Sequence, residues 1–154
     1  RAILDVLREM GCRVALEESA CTLVGSALSA FRRDLSAMPD AVPALAVTAL
    51  FAKGTTRLEG LSTLRLKESD RLSALAAELA RLGAAIREGS DFLEITPANL
   101  QGTRLETYGD HRMAMSLALV GLRVPGVAID NPRCVSKSYP RFWEEFSRFE
   151  NAAA

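Results

Sequence analysis

With 154 residues, 49% apolar and 25% charged, the chain has the size of one domain and the composition of a packed globular protein rather than a disordered one. Lys plus Arg and Asp plus Glu both number 19, so no basic surplus favours a nucleic-acid partner, although a local cluster can still hold a small anion. No apolar run approaches the roughly 18–20 residues that span a bilayer, no signal-peptide pattern opens the chain, and Cys12, Cys21 and Cys134 lack metal-ligand spacing, so a cytoplasmic protein with reduced, mostly packed thiols and no membrane contact is expected.

The opening stretch "RAILDVLREMG" predicts a helix with Ile3, Leu7 and Met10 on one face, closed by Gly11. It begins without Met and without a capping residue, so a piece of a longer polypeptide is expected. Alternating "CRVAL" and "ACTLV" then predict a strand pair. "MPDAVPALAVTALFAKG" follows, a helix headed by Asp40 and apolar almost all round from Ala44 to Phe51, as a buried helix is. Strand-like "TTRLE" leads to "RLKESDRL", where five charges occupy eight positions.

The same order then returns. Leu75, Leu79 and Leu82, closed by Gly83, stand 72 positions after the first stripe and its glycine. "AAIRE" and "FLEIT" repeat the strand pair, with Ile86, Leu93 and Ile95 answering Val14, Cys21 and Leu23. At an offset of 70, "YGDHRMAMSLALVGLRVPG" answers the second helix, with Asp110 opposite Asp40 and an apolar run from Met113 to Gly121. "GVAID" answers "TTRLE", and Lys137 and Arg141 repeat the K-x-x-x-R of Lys67 and Arg71. The pattern predicts a duplicated α/β unit, with copies at roughly 1–70 and 71–150.

The polar clusters fall at helix starts, where unpaired N–H groups carry about half a positive charge. Acidic residues there are ordinarily caps, the plain role of Asp40, Glu68, Asp70 and Asp110. Basic residues at the same end are opposed by the helix dipole unless an anion lies near. Arg71, His111 and Arg112 in first turns therefore point to a carboxylate or phosphate site. His111, the single histidine, is open to a structural or a functional role.

"LKESDRL", "YGDHRMAM", "MPDAVPALAVTALFAKGTTRL" and "RCVSKSYPRFWEEF", four motifs in order across the whole chain, resemble the 5-enolpyruvylshikimate-3-phosphate (EPSP) synthase family, in its carboxy-terminal part. The resemblance implies two domains, each of three βαβαββ units with helices packed inside sheets, an inside-out α/β barrel. Residues 1–154 would hold about two units of the second domain, with the amino-terminal domain outside the chain and apolar surface left open where a third unit is missing. The implied enzyme is a cytoplasmic monomer needing no organic cofactor and no metal. It moves the enolpyruvyl group of phosphoenolpyruvate onto the 5-hydroxyl of shikimate 3-phosphate and releases phosphate.

By resemblance, Asp40 contacts the shikimate hydroxyls and helps deprotonate the attacking one, and Lys67 touches the same substrate. Glu68 exchanges a proton with the phosphoenolpyruvate methylene carbon. Arg71 and Arg112 hold its carboxylate, Lys137 faces its phosphate, and His111 lies beside that group. Thr63 stands where many members place an asparagine that touches shikimate 3-phosphate. Asp110, Tyr108 and Arg141 read as a cap, a packed ring and a surface or capping cation. The rival readings are a UDP-N-acetylglucosamine enolpyruvyl transferase and a non-catalytic anion-binding module.

Overall fold

The computed structural model describes residues 2–153. In chain order its elements are α1 (Ala2–Glu9), β1 (Arg13–Leu16), β2 (Cys21–Val24), β3 (Leu28–Ser29), β4 (Arg32–Asp34), α2 (Val42–Ala49), β5 (Ala52–Lys53), β6 (Thr56–Glu59), α3 (Arg71–Arg81), β7 (Ala85–Glu88), β8 (Leu93–Thr96), β9 (Arg104–Leu105), α4 (His111–Ala118), β10 (Ala128–Ile129) and α5 (Phe142–Ala153). Short 3-10 turns at Pro39–Ala41, Ser62–Leu66 and Pro132–Val135 precede α2, α3 and α5, and one at Leu119–Leu122 extends α4.

A similar succession of elements occurs in each half, although β3 and β5 of the first half have no counterpart in the second. Gly11 and Gly83 end α1 and α3 at φ +104° and +103°, the left-handed conformation that closes a helix without a Cβ penalty. Behind them, the Met10 carbonyl accepts from the Ser29 N–H and the Leu82 carbonyl from the Gln101 N–H, each at 2.9 Å. Each helix feeds an antiparallel hairpin, β1–β2 and β7–β8. Each copy then adds a parallel pair around a helix: β4–β6 around α2, and β9–β10 around α4.

One correspondence differs from the expected one. Met38 N–H bonds the Leu35 carbonyl just as Asp110 N–H bonds the Thr107 carbonyl, both at 2.9 Å. This turn puts Met38 on the Asp110 position and Asp40 on the Arg112 position, so Asp40 is not the counterpart of Asp110.

The two copies share one sheet. Its order is β4–β6–β8–β7, with β4 parallel to β6 and the remaining pairs antiparallel, so the parallel pair of one copy continues into the hairpin of the other. The inner face of this sheet presents Leu58, Leu93 and Ile95, all fully buried. Helix α2 lies beneath it with Val42, Pro43, Leu45, Ala46, Val47 and Ala49 buried, packed against α3 and α4 as well. A helix apolar on nearly every side fits only such a place. The stripe Leu75, Leu79 and Leu82 of α3 is fully buried as its period predicts.

Helix α1 departs from its predicted stripe. Val6 and Met10 are buried, Leu7 is half-buried and Ile3 is exposed, because α1 packs on β1 and no second layer covers its first turn. The β1–β2 hairpin is likewise uncovered, with Leu16, Leu23 and Val24 more than two-fifths exposed. For the same reason Cys21 is exposed rather than packed, while Cys12 is buried and Cys134 half-buried.

The outer face of the shared sheet is held by charge. Glu94 on β8 accepts from Arg57 at 2.6 Å and from Arg87 at 2.6 and 2.8 Å, and Arg57 also reaches Glu59 at 2.6 Å. The Arg87 and Arg57 guanidinium groups hold the Glu94 carboxyl down at about 2 against an ordinary 4.5. A carboxyl held below its unfolded value stabilises the fold fully above that value and loses the contribution as pH falls through the folded one. Glu94→Gln is therefore expected to reduce the fall in the urea midpoint between pH 4.5 and about 2, and an unchanged acid limb would show that these ion pairs contribute nothing to folding.

Candidate active site

Three helix starts and one turn converge. The 3-10 turn before α2 supplies Asp40, the residues before α3 supply Glu68 and Asp70, the start of α4 supplies Asp110, His111 and Arg112, and the residues after Pro132–Val135 supply Lys137. Asp70 is a cap, accepting from the Ser73 N–H at 3.0 Å. Asp110 is also a cap, accepting from the Arg112 N–H at 2.8 Å and the Met113 N–H at 3.5 Å. Asp40 and Glu68, which share the plain reading as caps, do not cap: their carboxylates turn to cations instead.

Arg71 is the hub. Its Nε and Nη2 form a fork on Asp110 at 2.6 and 3.2 Å, Nη1 reaches Asp40 at 3.2 Å, and Nη2 reaches Glu68 at 3.0 Å. The side chain is 3% exposed and that of Asp110 is fully buried. An arginine in a first turn opposes the helix dipole, and here the protein supplies its own anions to offset it. Burial pushes the Asp110 carboxyl up, but the Arg71 guanidinium and the Arg112 and Met113 amides outweigh it and hold the carboxyl below the ordinary range. Arg71 is thus no free cation: its outer nitrogens become available to a ligand only by exchange with Asp40 or Glu68.

Glu68 lies at the centre of the open face. Besides Arg71, it has Lys137 Nζ at 3.5 Å and His111 Nδ1 at 3.2 Å, the latter off the line of a hydrogen bond. Arg112, a third exposed, reaches Asp40 at 3.0 Å, pairing the equivalent positions of the two copies. Arg71, Arg112 and Lys137 therefore meet Asp40, Glu68 and Asp110 in a balanced cluster. An open pocket of about 240 Å³ borders Asp40 and Arg112, walled by Ala44, Met115 and Phe142 among others. Lys67 and Thr63 are exposed on the same segment and bond to no member of the cluster. Arg141 is the expected surface cation, paired with Glu144 at 3.3 Å.

A second charged group escapes the sequence pattern. Glu78 of α3 is 1% exposed and holds Arg81, the Glu106 N–H and the Tyr108 hydroxyl. Tyr108 is not a packed ring but an exposed one tethered at its tip. The available signal was a carboxylate on the buried stripe, three residues after Leu75 and next to Leu79.

The family described as EPSP synthase (3-phosphoshikimate 1-carboxyvinyltransferase) has a model that matches residues 1–146. The chain belongs to the EPSP synthase family. Among its curated relatives, the 3-phosphoshikimate 1-carboxyvinyltransferase of Hamiltonella defensa is 44% identical over 144 residues, covering 93% of this chain and 34% of that protein. The same enzyme of Cronobacter sakazakii is 41% identical over 150 residues, covering 97% of this chain and 35% of that protein. The chain thus spans about a third of the length of the curated relatives it matches. The solved EPSP synthase of Acinetobacter baumannii superposes with a TM-score of 0.84 at 28% identity, over 99% of this chain and 38% of that one. The enolpyruvyl transferase NikO from Streptomyces tendae superposes at 0.77 with 24% identity, a likeness of fold alone. The fold is that of the enolpyruvyl transferases, a mixed α/β architecture in which α2 is packed beneath the shared sheet.

Removing the two caps separates their roles. Asp70→Ala is expected to lower stability by about 0.5–2 kcal/mol, the loss of an N-cap. Asp110→Ala is expected to cost more, about 3–5 kcal/mol, because it removes both a cap and the buried partner of the Arg71 fork, leaving that guanidinium only its more exposed Asp40 and Glu68 contacts. Equal losses in urea unfolding would mean that the Arg71–Asp110 pair is not the buried anchor described.

Proposed function

We propose that residues 1–154 form part of the carboxy-terminal domain of an EPSP synthase, with repeat copies at roughly 1–70 and 71–150 and the amino-terminal domain supplied by the rest of a monomeric, cytoplasmic enzyme. The proposed reaction joins the 5-hydroxyl oxygen of shikimate 3-phosphate to C2 of phosphoenolpyruvate and expels phosphate. The observation that carries this reading is Glu68 held between Arg71, His111 and Lys137, with Asp40 bridging Arg71 and Arg112 beside it. The family match supports shikimate 3-phosphate over a sugar nucleotide as acceptor. Among the described residues no helix is long and apolar enough to cross a membrane.

The chemistry assigns each group a task. In the addition step a proton arrives at the methylene carbon as the hydroxyl oxygen attacks C2, so an acid must face C3 and a base must face the hydroxyl. Each such group contributes about 10²- to 10⁴-fold. Glu68 takes the first role: it gives its proton to C3 in the addition and takes one back from the new methyl group when the methylene is regenerated and the C2–O bond to phosphate breaks. Asp40 takes the second. Arg71 and Arg112 receive the substrate carboxylate by exchanging their present Asp40 and Glu68 contacts for it, which frees both carboxylates for proton transfer. Lys137 and His111 face the departing phosphate and offset its charge, and Lys67 and Thr63 reach the acceptor. Fixed cations of this kind stabilise charge that develops as the bond breaks.

In the complete enzyme, Glu68→Gln is expected to lower kcat by about 10²- to 10⁴-fold while each KM changes only a few-fold, since the amide keeps the shape and cannot carry the proton. Near-normal turnover by that variant would sink the assignment. The 154-residue chain on its own is expected to release phosphate at background when given both substrates. Its binding of either one should be no tighter than about millimolar, because Arg112 and Lys137 face solvent, where contacts are screened, and Arg71 is occupied by the protein's own carboxylates. Turnover by the purified chain would show that the other domain is dispensable.

A further inference from the structure

The loop from Glu106 to Asp110 delivers Asp110, His111 and Arg112 to the site, and nearly every residue in it is tied. Glu78 accepts the Glu106 N–H at 2.9 Å on one oxygen and the Tyr108 hydroxyl at 3.1 Å on the other. Arg81 contacts both oxygens of Glu78, at 3.0 and 3.3 Å, so this buried carboxylate has its charge matched and its lone pairs filled. Asp130 accepts the Thr107 N–H at 2.9 Å, and Asp110 closes the loop on Arg71. Arg71 and Glu78 lie two turns apart on one face of α3, on the order of 10 Å along its axis, so a single helix grips the loop at both ends.

Between those grips the backbone is unusual. Tyr108 has φ +55° and Gly109 φ +67°, and Tyr108 is the one non-glycine residue with positive φ among the described residues. A side chain at such a position costs free energy that glycine would not. Nothing lies within 4 Å of a Cβ built on Gly109, so space does not force the turn. The Tyr108 hydroxyl is bonded to Glu78, and burial together with that bond pushes the phenol up to about 12, keeping it a donor.

We infer that Glu78 and Tyr108 are positioning residues: through the hydroxyl tether they fix the left-handed turn at 108–109 and thereby the direction in which Arg112 leaves α4 toward its ligand. The role given to Arg112 rests on the function proposed above, and the tether does not. Glu78 and Tyr108 touch no reacting group.

The test uses Tyr108→Phe, which keeps the ring and removes the hydroxyl, and Tyr108→Gly, which also relieves the backbone cost. In the complete enzyme each is expected to raise KM for phosphoenolpyruvate about three- to tenfold, the worth of one hydrogen bond, with kcat little changed. Combined with Arg112→Ala, Tyr108→Phe should add nothing, because a residue acting through Arg112 has no effect once Arg112 is gone. Hydrogen exchange at residues 106–112 should quicken in Tyr108→Phe while the α3 amides stay protected. Additive effects on KM, a Tyr108→Gly enzyme with unaltered KM, or unchanged exchange in the loop would each overturn the inference. Should Arg112→Ala itself leave that KM unchanged, the carboxylate role of Arg112 falls, and the exchange measurement alone decides the tether.

Discussion

A single buried guanidinium organises this molecule. Arg71 has its nitrogens distributed over Asp110, Asp40 and Glu68, which come from three different segments, and Asp110 is as buried as the arginine itself. Such a pair is worth little as net stability against a well-packed apolar alternative, but breaking it is costly. Its value lies in placement. The fork on Asp110 joins the starts of α3 and α4, and the remaining contacts bring Asp40 and Glu68 to the same spot. Every other charge in the site is located relative to this one.

The site is built where the two halves of the chain meet. Equivalent helix starts from the two copies face one another, and position for position they carry opposite charge, Asp40 against Arg112. The contact leaves two groups of opposite sign beside an open pocket. The apolar helix α2 beneath them supplies the rigidity, since its buried residues leave it no freedom to shift without opening the core.

Local features were legible in the sequence. The four strands at 13–16, 21–24, 85–88 and 93–96, the stripe of α3, the caps Asp70 and Asp110 and the buried nature of α2 all follow from period, turn residues and helix-end chemistry. Features set by partners far along the chain were not. Asp40 looks like a cap until Arg71 and Arg112 arrive from 31 and 72 residues away. Ile3 belongs to a plausible stripe that nothing covers, and Glu78 sits on an apolar face because a loop 28 residues later needs an acceptor. Periodicity reports which residues share a face; it is silent on what that face meets.

The sheet shared by the copies has a consequence for how the molecule comes apart. Strands β4 and β6 come from the first half of the chain and β8 and β7 from the second, so neither half possesses the complete four-stranded slab on its own. Pairing β6 with β8 closes a long loop that includes all of α3, an entropic barrier that must be crossed before either copy gains its covering layer. Once crossed, the two repeats form one cooperative unit rather than two beads on a string. Separation of the halves by a nick in the loop before α3 would then leave them associated, because the seam between them is the middle of a sheet and not a boundary.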